Sequence, residues 1–211
     1  MEPDAIEIRV VGCLIEKQRT TPDAYPLSFN ALRLACNQST NRDPVVAYDE
    51  ATVSEALRRT ALRGWTRLAS GAGSRARKYR HLLPEALELD PAEVSLLAVL
   101  MLRGPQTPGE LKQRSERLHA FADLAAVEET LERLIERGHV VRLERRPGQK
   151  EVRYAQLLGG EEAEGTAPVE TPPPAGSEED EIVAGLEGEI ASLRAELARL
   201  REAYGVPPGD A

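Results

Sequence analysis

Positively charged side chains crowd into one short stretch of the 211-residue chain. Arg75, Arg77, Lys78 and Arg80 lie there within six consecutive positions. Guanidinium and ammonium groups bind phosphate oxygens, and such contacts hold a protein on a nucleic-acid backbone without reading its sequence. Cations ahead of this cluster and in a later one complete the candidate nucleic-acid contacts, namely Arg58, Arg59, Arg145, Arg146 and Lys150. The alternative is that these side chains form solvated faces of amphipathic elements.

A second polar stretch, residues 37–48, is dense in Asn, Asp, Ser and Thr. These side chains bond nearby backbone groups and build compact loops. Loops on a rigid scaffold also carry many binding residues. The stretch is therefore either a recognition loop for nucleic acid or a partner, or a self-bonded plug that braces the second helix against the third. Its candidate recognition residues are Asn37, Gln38, Asn41, Arg42 and Asp43.

Residues that catalyse reactions or bind metals do not occur at useful spacings. The histidines His81, His119 and His139 show no HxxxH pattern and no paired nucleophile. Cys13 and Cys36 stand among apolar neighbours, which is typical of buried, inert thiols. No GxxxxGKS or GxxxxGKT phosphate loop is present. We therefore expect a non-enzymatic protein with no cofactor and no metal site.

An internal repeat indicates the elements that would position the candidate residues. After a shift of 86 residues, the segment 7–22 falls on 93–108, and both segments end at a Thr-Pro step. After a shift of 74 residues, the segment 55–64 falls on 129–138, and both end in Arg-Gly, a common helix stop. Apolar residues recur with helical spacing in all four segments.

Each copy reads in the order helix, short helix, longer helix and β-hairpin, which is the winged-helix pattern. We predict an α+β, mostly helical chain with two tandem winged-helix domains, each a helix-turn-helix with a β-hairpin wing, and a C-terminal coiled-coil-like helix. The first domain spans residues 1–83 and the second 84–158. The two shifts differ by twelve residues, and we place this extra length in an insertion at about 37–48.

The C-terminal part differs in composition from both copies. Residues 159–181 form an acidic linker rich in Pro and Gly, residues 182–205 carry a heptad pattern, and residues 206–211 form a tail. The heptad seam favours a two-stranded coiled coil and therefore a homodimer. The competing interpretation is a helix that docks on the globular part or on another protein. The seam residues are Val183, Leu186, Ile190, Leu193, Leu197, Leu200 and Tyr204.

Several motifs are long enough to be compared with known families. They are Glu16-Lys17, Thr20-Thr21-Pro22, Tyr25-Pro26-Leu27, Asn30-Ala31-Leu32, Ala35-Cys36-Asn37-Gln38, Asn41-Arg42-Asp43-Pro44-Val45, Leu102-Arg103-Gly104, Gln106-Thr107-Pro108-Gly109-Glu110-Leu111 and Pro147-Gly148 before Arg153-Tyr154. Together they resemble the YceH family of bacterial proteins over residues 6–158. The resemblance implies a tandem winged-helix fold and dimers, and it supplies no activity. Ser39-Thr40 departs from the family, which usually has a lysine before the Ser or Thr.

The net charge of −8 is unevenly distributed, with +4 over residues 1–83, −2 over 84–158 and −10 over 159–211. The first copy is thus the cationic one. The starts of the third helices, residues 49–55 and 123–129, are acidic and oppose base reading of the usual helix-turn-helix kind.

Two functions fit this distribution of charge. The first is a DNA-binding or transcription-related regulator whose basic wings contact mostly the phosphate backbone of duplex DNA. The alternative is an interaction scaffold whose winged helices dock a protein partner and bind no nucleic acid. The chain has no run of 18 apolar residues and no secretory signal pattern, so we expect a cytoplasmic protein without a membrane partner.

Overall fold

The computed structural model describes residues 2–69, 77–144 and 151–159. This part of the chain is α+β, as predicted, with seven α-helices and two small antiparallel sheets. The candidate residues Arg75, Arg145, Arg146 and Lys150 and the whole heptad seam lie outside it. We call residues 2–83 the first half and residues 84–159 the second half.

The first half contains three main helices and three strands. Its helices are α1 (Ala5–Thr20), α2 (Phe29–Cys36) and α3 (Glu50–Leu62), with a 3₁₀ turn at Pro22–Ala24. Its strands are β1 (Leu27–Ser28), β2 (Thr66–Leu68) and β3 (Lys78–His81), and β3 lies between the other two. The register places Leu27 and Leu68 opposite Tyr79 on either side of β3.

The second half repeats this order after the short helix α4 (Leu83–Leu87). Its helices are α5 (Pro91–Arg103), α6 (Pro108–Ser115) and α7 (Leu124–Glu136), followed by β4 (Val140–Arg142) and β5 (Tyr154–Gln156). A β-bridge between Gln106 and Tyr154 occupies the place of β1. The predicted boundary after residue 83 falls within α4.

Both halves begin with the same helix start. Asp4 and Asp90 cap α1 and α5, and each accepts from the backbone N–H of a glutamate three residues later, which closes a capping box. The two caps are 86 residues apart, which matches the first shift of the sequence repeat.

The extra length of the first half is not all in the insertion predicted at 37–48. The side chains of Ser28 and Thr107 cap α2 and α6 and are 79 residues apart, so Thr107 corresponds to Ser28 and not to Thr21. Asp49 and Asp123 cap α3 and α7 and are 74 residues apart. Seven extra residues therefore precede α2 and five follow it. The Thr-Pro step misled the prediction because it ends a helix in one half and begins one in the other.

Helix α1 joins the two halves because it is buried on two sides. Val10, Cys13 and Leu14 enter the core of the first half. Ile8, Val11 and Ile15 enter a second core with α5, α6 and α7. A Cβ atom placed on Gly12 would lie 3.0 Å from Leu102 Cδ2, so α1 and α5 approach closely at this residue.

No helix in the described ranges is both long enough and apolar enough to cross a membrane.

Candidate nucleic-acid interface

The sheet of the first half places two arginines directly opposite each other. Arg67 of β2 pairs with Arg80 of β3 in the antiparallel register. Opposed residues share one face of a sheet, and like charges there repel. Lys78 lies on the same face as Arg80 because side chains alternate along a strand. Arg67 is exposed and Arg80 is half-buried, and neither forms an ion pair with a carboxylate of the described residues. This face is therefore suited to an anion.

Arg77 borders an open groove beside this sheet. The groove lies where α2, α3 and β3 meet, and its lining residues are Ser28, Phe29, Asn30, Glu50, Ala51, Ser54, Arg77 and Tyr79. Phe29 and Tyr79 stand edge to face with ring centroids 6.5 Å apart. The groove thus combines one cation, small polar side chains and two aromatic rings.

Two carboxylates at the start of α3, Asp49 and Glu55, already accept hydrogen bonds from groups of the same helix. Asp49 accepts from the backbone N–H of Thr52 at 2.8 Å as the helix cap. Hydrogen bonding to the side chain of Thr52, and then to its backbone, keeps the pKa of Asp49 below its usual value. Arg58 donates from Nε and Nη2 to the two oxygens of Glu55 at 2.8 and 2.6 Å, and these bonds lower the pKa of Glu55. Arg58 is exposed on α3, and its guanidinium is held by Glu55.

Arg59 forms ion pairs with carboxylates of α1 and its cap. Its guanidinium lies 2.5 Å from Asp4 Oδ2 and 3.7 Å from Glu7 Oε2. Arg63 bonds the same buried Glu7 at 3.0 Å. The second half repeats the arrangement, with Arg133 and Arg137 against Asp90 and Glu93. Because the pattern is duplicated and ties the third helix to the first, Arg59 serves the fold in this arrangement.

Arg42, the central candidate of the recognition loop, is a buried structural residue. Its side chain is 0 % exposed. It donates to both oxygens of Glu16, to Gln38 Oε1, and to the carbonyls of Ala35 and Asn41. These five bonds use the five N–H donors of a guanidinium. The bonding of Arg42 supports the interpretation of residues 37–48 as a self-bonded plug.

The other loop candidates divide between structural and exposed positions. Asn37 and Tyr48 close the loop reciprocally, because Asn37 Nδ2 donates to the Tyr48 carbonyl and Asn37 Oδ1 accepts from the Tyr48 N–H, both at 2.9 Å. Asn41 accepts from Arg103 of α5. The backbone N–H of Asp43 donates to the Leu102 carbonyl at 2.9 Å, while the residue itself is exposed. The plug therefore joins the end of α2 to the residue before the α3 cap, and it also ties the first half to α5.

The cysteines and one histidine are buried. Cys13 and Cys36 are free thiols in one core cluster, and the hydrogen bond to Cys13 together with burial raises the pKa of Cys36. His81 is 5 % exposed, and its Nε2 lies 2.7 Å from Gln18 Oε1. Burial lowers the pKa of His81 to about 4. Within the described ranges, no three His, Cys, Asp or Glu side chains are grouped to hold a metal ion.

The corresponding sheet of the second half lacks the pair of opposed arginines. Val141 and Ala155 occupy the places of Arg67 and Arg80 in the sheet register. Arg153 lies 3.1 Å from Glu110 and also donates to the Pro105 carbonyl at 2.8 Å. The described cations without such partners are thus concentrated in the first half. Asn30 and Ser54 were not among the predicted site residues, because only the packing of α2 on α3 brings them to this surface. Only the strand register places Arg67 opposite Arg80.

Comparison with known proteins gives consistent matches along the chain. Residues 4–149 match the family described as "Protein of unknown function, DUF480". A UPF0502 protein of Pelobacter propionicus is 50% identical over 202 residues, covering 92% of this chain and 91% of the relative. A UPF0502 protein of Citrobacter koseri is 46% identical over 206 residues, covering 94% and 96%. The chain belongs to the DUF480 family, whose relatives in these bacteria carry the name UPF0502.

Proposed function

We propose that this protein is a cytoplasmic, non-enzymatic DNA-binding protein whose first half contacts the phosphate backbone of duplex DNA. The observation that carries the proposal is the direct opposition of Arg67 and Arg80 on neighbouring strands. Repulsion between two guanidinium groups is relieved when phosphates bind between or beside them, so the face gains binding free energy from an anionic ligand.

The difference between the two halves supports this proposal. The same strand positions hold an arginine pair in the first half and Val141 with Ala155 in the second. A sheet of this size folds with either pair, so the fold does not require the arginines. The Nε of Arg80 is buried and has no hydrogen-bond partner among the described residues. The fold therefore leaves part of the Arg80 guanidinium without an acceptor among these residues.

We further propose that both halves are winged-helix units. The order helix, helix, helix, hairpin in each half supports this assignment, and β2 and β3 would then form the base of the first wing. We also propose that the YceH resemblance and the DUF480 match describe one family, since the motifs of the resemblance fall almost wholly within residues 4–149.

The test is fluorescence anisotropy with a random-sequence duplex at several salt concentrations. Four to six phosphate contacts predict that log K falls against log salt with a slope of roughly −4 to −5. Arg67→Ala and Arg80→Ala should each reduce the slope by about one. Arg117→Ala, which removes an exposed cation from the second half, is the matched control and should leave the slope unchanged. A slope near zero for the unaltered protein would refute DNA binding.

The alternative function is a scaffold that docks a protein partner. Leu62 at the end of α3 is 76% exposed and Leu124 at the start of α7 is 44% exposed. Exposed leucines on the third helix of each half suit a protein contact better than a phosphate contact. A flat salt dependence of DNA binding, together with loss of a partner on Leu62→Ser, would favour this function.

A further inference from the structure

We propose that the groove between α2, α3 and β3 holds one phosphate of the DNA backbone together with its adjoining sugar. This inference rests on the proposed function and names a contact point within it. The groove provides three kinds of group that a phosphodiester needs: the Arg77 guanidinium, the Asn30 amide and the Ser54 hydroxyl. All three residues are exposed, so a ligand can reach them.

The donors of the groove match the chemistry of a phosphodiester. Arginine offers two parallel N–H bonds to phosphate oxygens, and amide and hydroxyl groups donate to the remaining lone pairs. Phe29 and Tyr79, whose rings are in edge-to-face contact, provide the apolar wall that a deoxyribose packs against. Glu50 is the one carboxylate among the lining residues, and it opposes the anion.

The second half supplies an internal comparison for the groove. With the helix caps and strand registers matched, Asn30, Ser54 and Arg77 correspond to Gly109, Glu128 and Val152. The second half thus has no side-chain hydrogen-bond donor at these three positions. The shared fold does not depend on the three donors, because the second half forms the same helices without them.

The experiment uses the full chain and the same random-sequence duplex. Arg77→Ala removes a charge, so the slope of log K against log salt should become shallower by about one. The double variant Asn30→Ala, Ser54→Ala removes two neutral donors, so affinity should fall about threefold or more at every salt concentration while the slope stays unchanged. Glu50→Gln should raise the affinity by removing the opposing carboxylate. Arg117→Ala remains the matched control for loss of one cation.

The results separate this inference from the proposed function. If Arg67→Ala and Arg80→Ala reduce the slope while the groove variants bind with unaltered affinity and slope, the groove contact is refuted and DNA binding by the first half stands. If the unaltered protein shows no salt-dependent binding, the proposed function fails and the groove contact fails with it. Equal thermal unfolding midpoints for all variants would show that a loss of binding does not result from unfolding of the variant.

Discussion

The arginines of this protein fall into two groups. Some form ion pairs and hydrogen bonds within the fold, and others have no carboxylate partner among the described residues and can bind an anionic ligand. Arg42 uses all five of its donors within the fold, and Arg59 forms ion pairs with Asp4 and Glu7. Arg67 and Arg80 face each other without such partners among the described residues. The environment of the guanidinium, and not its position in a basic run, separates the two groups. Mutations in each group should therefore have different consequences.

Arg42→Met should destabilise the protein strongly. It leaves Glu16, with a side chain only 16% exposed, without its 2.6 Å partner, and it removes the five hydrogen bonds that Arg42 donates. Loss of one member of a buried ion pair costs about 3 to 5 kcal/mol of unfolding free energy. Urea unfolding measures the loss, and Arg117→Met, at an exposed site, should change stability by less than about 0.5 kcal/mol. Equal losses for the two variants would contradict the structural role of Arg42.

His81 should make stability depend on pH below neutrality. Its pKa of about 4 in the folded state lies below the ordinary value of 6.5, because burial disfavours the charged ring. The unfolded chain therefore binds more protons between these two values, and stability falls as the pH drops through this window. Between pH 7.5 and 4.5 the contribution amounts to about 2 to 3 kcal/mol.

Comparison of two histidine variants isolates this effect from the titration of carboxylates. His81→Gln keeps a donor for Gln18 and does not titrate, so its stability should fall less over the same pH range than that of the unaltered protein. His119→Gln should follow the unaltered protein. If the unfolding free energies of all three proteins fall in parallel with pH, the pKa of His81 is the same in the folded and unfolded states.

The two first helices form the central contact between the halves. Both start with an Asp cap and a buried glutamate, and the contact between α1 and α5 leaves little room for a side chain at Gly12. Glycine in a helix interior is otherwise unfavourable by about 1 kcal/mol relative to alanine. Its presence in α1 is explained by the close approach of α5.

Gly12→Ala should therefore destabilise the protein, although alanine is the better helix former. The added Cβ would lie 3.1 Å from Leu102 Cγ and 3.2 Å from Met101 Cβ. Overpacking costs about 1 to 3 kcal/mol and the propensity gain is about 1 kcal/mol, so over most of this range the cost is the larger. Gly109→Ala is the matched control, because the nearest atom, Thr107 Oγ1, is 4.0 Å away. It should stabilise the protein by a few tenths of a kcal/mol in the same unfolding assay. A gain for both variants would contradict tight packing at Gly12.

The whole molecule is expected to act as a dimer through its C-terminal heptads, which lie outside the described residues. Leu193→Asp combined with Leu197→Asp places charges in the apolar seam and should convert the dimer to a monomer. Ala195→Asp combined with Ala198→Asp adds the same charge away from the seam and should leave the dimer intact. Sedimentation equilibrium distinguishes the two outcomes. A monomeric unaltered protein would refute self-association through this segment.

Several features of the molecule were determined by sequence alone. The α+β class and the two matched halves follow from periodic apolar residues, Arg-Gly helix ends and repeated turn signals, all of which act over a few residues. The capping aspartates and the buried cysteines likewise agree with local pattern.

Only the tertiary structure determined which residues far apart in the chain contact one another. The plug at residues 37–48 has the composition of a recognition loop as well as that of a brace, and only its contact with Glu16 and α5 assigns Arg42 to the fold. The twelve extra residues were divided correctly only by the helix caps. The opposition of Arg67 and Arg80 depends on strand register, which a single sequence does not specify. Local signals fix the elements, while long-range pairing determines which charges are neutralised and which are left for a ligand.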